Sequence, residues 1–504
     1  MEDQSDPKFS ERRISRRKLL TYSGAGATLL AATQLGGPLG ATAVLAQGDD
    51  DGPGSQQNQN GGNRRWRAGD HHIHSEYSGD FDTSTNPPTF TKGADAVYPI
   101  VTNAIMAKHF GLKWVMCTDH GGPTHSKVNL EQAYPDLLIS RSLVPDVLQF
   151  WGMEFDAPQM DHHTLMIPRH DGEAQQLFAL ESGFSKRDPF PADPSYDTEA
   201  KMIAFLNAAK AMPQKPLVIA HHAARSATGL GVYGQDTPRE FRNNNNAAPD
   251  VYVGFEGSPG HQAGPLVGGS RGAFGNFHTM GGYDQMTARV GGLWDSLLGE
   301  GRRWWITATS DSHVHWTRGG SDFWPGEYSK TYVLASQDYG DVMDGLRKGR
   351  IWVTTGDLIA GLDVEVKGPG GQAAMGETLE VRGNGRREVE VEISFTPLQG
   401  PNANGDVPVV SRVDLIVGQI TGPAADPNSD TNPTTQVVAR LGPNQWKKSG
   451  DRFVVRHSLA NMEGKFYVRV RGTNTNEDEP LVDGAENPWT DLWFYSNPVF
   501  VSMG

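Results

Sequence analysis

The sequence predicts an α/β domain of some seven strand–helix units, a number that suggests a barrel, followed by an antiparallel β-sandwich. Three observations carry this expectation. Seven short apolar runs end in, or run straight into, histidine or carboxylate: GDHHIH (69–74), VMCTDH (115–120), FWGMEF (150–155), HHTLMI (162–167), LVIAHH (217–222), VYVGFE (251–256) and ITATSDSH (306–313). Helix-length stretches alternate with these runs up to residue 356, as in a parallel sheet built from strand–helix units. Near residue 357 the pattern changes to period-two alternation broken by Gly, Pro and Asn turns, the signature of an antiparallel sandwich over 357–504.

At the start of the chain, Ser15-Arg16-Arg17-Lys18-Leu19-Leu20 precedes a weakly apolar Gly- and Ala-rich stretch that closes on small residues at Ala43 and Ala46. Residues 1–46 therefore read as a twin-arginine signal, with export across the cytoplasmic membrane, to the periplasm or beyond, by the twin-arginine machinery. That route carries folded proteins, which suits a chain that takes up metal before export. Residues 47–65, QGDDDGPGSQQNQNGGNRR, read as a disordered linker. Past residue 46 no apolar run reaches the roughly 18 residues a membrane span needs, so none is expected in the mature form. Residues 1–46 hold six Lys or Arg and four Asp or Glu, so without them the formal charge of −14 becomes −16. An acidic surface argues against nucleic acid as a partner, because phosphate neutralisation dominates such binding. Cys117 is the single cysteine, which excludes an intrachain disulfide, and its apolar setting reads as core.

The folded part is expected to begin near Trp66, with helices over Lys92–Phe110, Asn129–Leu143, Thr198–Met212 and Gln285–Leu298. Ser226–Asp250 and Ser258–Gly282 are rich in Gly, Asn and polar residues and read as long loops. Both follow runs that end in histidine or acid, so they are expected to shape a substrate site. In the C-terminal part the strands are LDVEVKG (362–368), REVEVEISF (387–395), RVDLIVGQI (412–420), RFVVRHSL (452–459) and KFYVRVRG (465–472). Of the sixteen histidines, fifteen precede residue 316, so the chemistry is assigned to residues 66–356.

His72-Ile73-His74 places two imidazoles on one face of a strand, a spacing that suits a transition-metal ion. Asp119-His120 and Asp311-Ser312-His313 each close an apolar run, Glu154 is set in very apolar sequence, His163 opens a run and His221 closes one. Singly, each is compatible with a satisfied core residue or a helix cap. Together, at strand ends where an uncompensated charge is costly, they point to shared divalent ions.

In this order and spacing the motifs resemble the PHP (polymerase and histidinol phosphatase) superfamily: an HxH, an apolar-TDH, a Glu, a downstream His, an AH pair and an SDxH, covering roughly residues 66–356. The β-rich tail, with LRKGRIWVTTGD (346–357) before it and WFYSNPVFV (493–501) near its end, is similar to the CehA/McbA-like metallohydrolases. The resemblance implies a distorted (β/α)7 barrel holding two or three divalent ions, Zn, Mn or Fe. It implies one ion on His72, His74, Glu154 and Asp311, with Glu154 bridging to a second on His163 and His221. A third falls to Asp80, His120 and His313. Asp80 is read from SGDFD, where the family often has SDG, with Asp82 as the alternative; AHH in place of AHP leaves His222 to face substrate. Catalytic roles are expected for Glu154 and Asp311, for Asp119 as an orienter of a ligating imidazole, and for Arg225 as a clamp on an anionic group. The implied activity is hydrolysis by a metal-bridged hydroxide, with a small-molecule phosphoester as the first expectation and a carboxyl or carbamate ester as the second. A non-catalytic metal- or carbohydrate-binding protein is the alternative of a different class.

Overall fold

In the computed structural model, which describes residues 63–260, 262–263, 277–381, 388–483 and 487–504, each of the seven apolar runs forms or ends a β-strand. The expected export signal, and all but the last three residues of the expected linker, lie outside the described residues. The strands of the first part are β1 (Arg65–Ile73), β2 (Asp80–Asp82), β3 (Thr89–Thr91), β4 (Trp114–Cys117), β5 (Leu148–Asp156), β6 (His162–Ile167), β7 (Leu217–Ala220), β8 (Tyr252–Pro259), β9 (Trp305–Thr309), β10 (Ser329–Ala335) and β11 (Ile351–Thr355). The longer helices are α1 (Ile100–His109), α2 (Tyr134–Leu143), α3 (Glu173–Phe184), α4 (Glu199–Ala211), α5 (Pro238–Ala247), α6 (Leu293–Gly299) and α7 (Tyr339–Lys348). Among the described residues, no helix is long and apolar enough to cross a membrane.

The fold is mixed α/β. A large mixed sheet runs β1-β4-β5-β6-β7-β8-β9, in which β1, β4, β5, β7, β8 and β9 point the same way and β6 runs against β5 and β7. These strands are almost wholly buried, as expected of a sheet covered on both faces. The sheet curls until the ends of β1 and β9 meet: the Asp311 amide donates to the His72 carbonyl (2.9 Å), and the His74 amide to the Ser312 carbonyl (2.9 Å).

No closed barrel forms among the described residues, because the other edge of β1 is taken by β10, paired antiparallel from Arg65↔Ala335 to Gly69↔Thr331. Where β10 passes β9, the Thr331 hydroxyl accepts from the Ala308 amide (2.8 Å) and donates to the Ala308 carbonyl (2.7 Å), so a side chain stands where a ladder would close.

The helices depart from expectation in ways the local chemistry explains. α1 starts only after Pro99 rather than at Lys92, and the Gln285–Leu298 stretch breaks at Gly291-Gly292, where Gly291 has φ +75°. Ser226–Asp250 is not all loop: Thr237 caps α5 with a reciprocal Thr237–Glu240 capping box, and Pro238 occupies the first turn. α3 and α7 were not anticipated.

The C-terminal strands are β12 (Ile359–Gly368), β13 (Gly371–Ala374), β14 (Thr378–Val381), β15 (Val389–Pro397), β16 (Arg412–Gln419), β17 (Gln436–Leu441), β18 (Lys447–Ser449), β19 (Arg452–Leu459), β20 (Lys465–Thr473), β21 (Trp493–Ser496) and β22 (Val499–Met503). An antiparallel sheet, β13-β12-β15-β19-β18, packs Val364, Ile393 and Phe395 into one core with Leu415, Val468 and Phe494 of the large sheet. The expected boundary near 357 does not interrupt that sheet: β10 pairs with β11, β11 with β21 (Trp352↔Ser496 to Thr354↔Phe494), and β21 with β20.

Candidate metal centre

The carboxyl ends of β1, β4, β5, β7 and β9 open onto one point, and because β6 runs backwards its amino end opens there too. That reversal explains why HHTLMI begins with histidines while most of the other runs end with theirs. Glu154 lies at the centre, fully buried on β5. Its Oε1 is 2.9 Å from His221 Nδ1, 3.0 Å from His162 Nδ1, 3.1 Å from His222 Nε2 and 3.3 Å from His72 Nε2. Its Oε2 is 2.7 Å from His120 Nδ1 and 3.4 Å from His74 Nε2. Asp311 adds a second carboxylate, with Oδ1 3.2 Å from His72 Nε2 and 3.1 Å from His74 Nε2. Both Asp311 (φ 47°) and His222 (φ 25°) hold left-handed backbone, a strain that concentrates at functional sites.

A third carboxylate lies at the rim. Asp95 Oδ2 is 3.4 Å from His120 Nε2 and 3.3 Å from His313 Nε2, and the His313 and His74 rings stack at 3.7 Å. His, Glu and Asp groups, buried except for the exposed Asp95 and the half-buried His120, His162 and His313, thus lie within ion-binding distance of one another in overlapping sets: His72, Glu154, His221 and His222; His72, His74 and Asp311; His120, Glu154 and His162; His74, Asp95, His120 and His313.

The donor atoms fit cations better than they fit each other. His72 Nδ1 is 2.7 Å from Glu256 Oε1 and His74 Nδ1 is 2.7 Å from Ser78 Oγ, so the hydrogen-bond network assigns both protons to Nδ1. The two Nε2 lone pairs then face each other at 3.1 Å, an arrangement a shared cation turns from repulsive to favourable. Glu154 Oε2, His120 Nδ1 and His162 Nδ1 are buried and make no hydrogen bond of good geometry. Burial alone would raise the Glu154 pKa, but His162, His120 and His72 hold it well below the usual carboxylate range. Burial would likewise depress His162, yet Glu154 and Asp156 raise it to about 10.

Of the residues expected at this site, His72, His74, His120, Glu154, His221, Asp311 and His313 come together. His163 does not. The alternation of β6 turns it to the other face, where its Nδ1 is 3.0 Å from the Asp161 carbonyl and its Nε2 2.9 Å from the Tyr252 hydroxyl, and burial lowers its pKa to about 3. The neighbouring His162 stands in its place. Asp80 and its alternative Asp82 also lie apart, exposed on the β2–β3 hairpin. Beyond that hairpin the chain folds back, with the amides of Asp95 and Ala96 both donating to the Ser78 carbonyl (3.2 Å), which sets Asp95 beside the His74 strand end.

The Asp119 carboxylate belongs to none of these sets, although its backbone carbonyl accepts from the Glu154 amide (3.1 Å). It accepts from the Ser75 amide (2.6 Å) and hydroxyl (2.7 Å) and from the Ser78 hydroxyl (3.1 Å), and so orients His74 through Ser78. Arg225 pairs in bidentate fashion with Asp161, whose Oδ1 also accepts from the His162 amide (2.9 Å). His71, on the opposite face from its neighbours, bridges the hydroxyls of Thr164 (2.7 Å) and Thr307 (2.8 Å). Gly121 lets the loop after His120 pass the site, since a Cβ there would lie 2.1 Å from Asp156 Oδ2. Asp95 and His162 were missed by sequence reasoning; the doubled histidine at 162–163 was the one available signal for the second. Comparison with known proteins adds no assignment: no family model matches the chain, and no characterised protein aligns with it significantly.

Proposed function

We propose that this protein is a metal-dependent hydrolase of the PHP type, acting on small-molecule phosphoesters, in which the curled parallel strands are a distorted, open form of the family's barrel and the C-terminal sheets its sandwich. The observation that carries the reading is Glu154, one buried carboxylate within 3.4 Å of six imidazole nitrogens. Structural histidines are satisfied by hydroxyls and carbonyls, as His71 and His163 are here. Six rings turned onto one carboxylate need cations to hold them together.

These donors can be apportioned among three ion positions. His72, His74 and Asp311 would hold the first with Glu154, and His162, His221 and His222 the second with the same Glu154. Asp95, His120 and His313 would hold the third. Imidazole and carboxylate donors suit Zn, Mn or Fe. Bound there, divalent ions would supply Lewis acidity and lower the pKa of a nearby water.

The chain's own residues do the rest. Asp119 and Ser78 fix the His74 ring, and the Asp161 carboxylate fixes the Arg225 guanidinium, whose remaining donors can meet a phosphoryl oxygen. With the expected signal over 1–46, the protein acts outside the cytoplasm.

Elemental analysis of protein purified without added metal, followed by turnover of bis-p-nitrophenyl phosphate against p-nitrophenyl acetate, tests this. The expected result is bound divalent metal and diester hydrolysis inhibited by phosphate. Turnover of the acetate alone would move the reaction to carboxyl or carbamate esters, and a fully metallated protein that hydrolyses neither would overturn the enzyme reading.

A further inference from the structure

The run VYVGFE ends on Glu256, a buried carboxylate that the three ion positions leave unused. We propose that Glu256 is a positioning residue for the two ions that share Glu154, orienting His72 through its ring and His222 through its backbone amide. The inference rests on the ion-binding reading above.

Glu256 Oε1 is 2.7 Å from His72 Nδ1 and accepts from the Thr309 hydroxyl at 2.7 Å. Its Oε2 accepts from the His222 amide at 2.7 Å. From within β8, one side chain therefore gathers β1, β9 and the turn after β7. The bond to Nδ1 fixes the His72 tautomer and leaves Nε2 as the lone pair facing Glu154 and Asp311.

The bond to the His222 amide addresses a different difficulty. At φ 25° that residue holds a backbone conformation that L side chains rarely adopt, and in it Nε2 lies 3.1 Å from Glu154 Oε1. Oε2 secures the turn that sets this angle.

The third position is built without Glu256. Of its donors, His120 is held by its own backbone amide, which donates to the Ser78 hydroxyl (3.0 Å). Removing Glu256 therefore affects the two ions on Glu154 and not the third. A residue that merely held the fold together would weaken all three ions in parallel.

The test is a zinc titration of the full chain against a competing chelator, with bound zinc counted by elemental analysis after dialysis. Glu256→Gln keeps the shape but turns into a donor one of the two oxygens that serve three buried donors. Its expected effect is a loss of about 10- to 100-fold in affinity for two ions, the third binding as in the parent chain. Glu256→Asp retains the charge and restores part of that loss; if the Gln variant does not fold, the Asp variant carries the test through a smaller loss at the same two ions. Parent-like binding of every ion by a folded variant, or a parallel loss of all three, overturns the role. A parent chain that takes up no zinc overturns the ion reading itself, and the role with it.

Discussion

Two regions of this molecule bury charge, and they do so in opposite ways. In the C-terminal part, Arg469 meets Asp295 of α6 through two parallel bonds, Nε to Oδ1 at 2.8 Å and Nη2 to Oδ2 at 2.6 Å, with both side chains fully buried. Beside it Arg471 donates to Asp414 at 3.0 Å. Each carboxylate there faces a guanidinium and has both oxygens bonded, although Arg469 Nη1 makes no hydrogen bond of good geometry. At the strand ends of the first part, carboxylates face imidazole nitrogens at similar distances, but Glu154 Oε2, His120 Nδ1 and His162 Nδ1 have no hydrogen bond of good geometry. Glu154 is as deeply buried as Asp295. What separates a fastening from a reactive centre is whether each buried carboxylate oxygen closes on a donor.

Substitutions can break or sharpen that contrast. The largest effect is expected at Glu154: Glu154→Gln should release the two ions it shares and lower turnover by roughly three orders of magnitude, about 4 kcal/mol of barrier, checked by metal analysis and steady-state kinetics. Arg469→Met should do the reverse, costing about 3–5 kcal/mol of stability by stranding Asp295, as read from denaturant unfolding, with the metal content unchanged. Next comes the neighbouring pair on β6. His162→Ala should remove ion affinity at little cost in stability, whereas His163→Phe should cost about 1 kcal/mol by removing the bond to the Tyr252 hydroxyl and leave metal binding intact. The smallest effect is expected at Arg225. Arg225→Gln should raise KM for the phosphodiester about tenfold without changing the ion count, because it removes a charge that meets the substrate and no ligand.

The element types and the ligand-bearing strand ends were legible because both follow from local pattern: apolar runs of strand length, and residues that are costly to bury at their ends. His72, His74, His120, Glu154, His221, Asp311 and His313 could be read this way. What escaped depends on tertiary direction. Nothing in HHTLMI says that β6 runs against its neighbours, and that decides which histidine of the pair faces inward. Asp95 was hidden for a similar reason, since its approach depends on a return to Ser78 around the β2–β3 hairpin, whereas Asp80 had only proximity in sequence to recommend it. The open barrel could not be foreseen either, because β10 comes from beyond the seventh run to occupy the edge of β1. α5 is a different case: Thr237-Pro238-Arg239-Glu240 carries a readable start signal that the following run of four asparagines outweighed.

The continuity of the large sheet through β11 and β21 bears on how this chain can be handled. Cutting it after residue 356 would leave Val353 and Thr354 with a bare row of amides and carbonyls on a strand that is apolar and buried in the intact molecule. Such an edge recruits other chains. A fragment comprising the first part alone is therefore expected to precipitate or self-associate, so heritable change and laboratory engineering alike must treat the two parts as one inseparable piece.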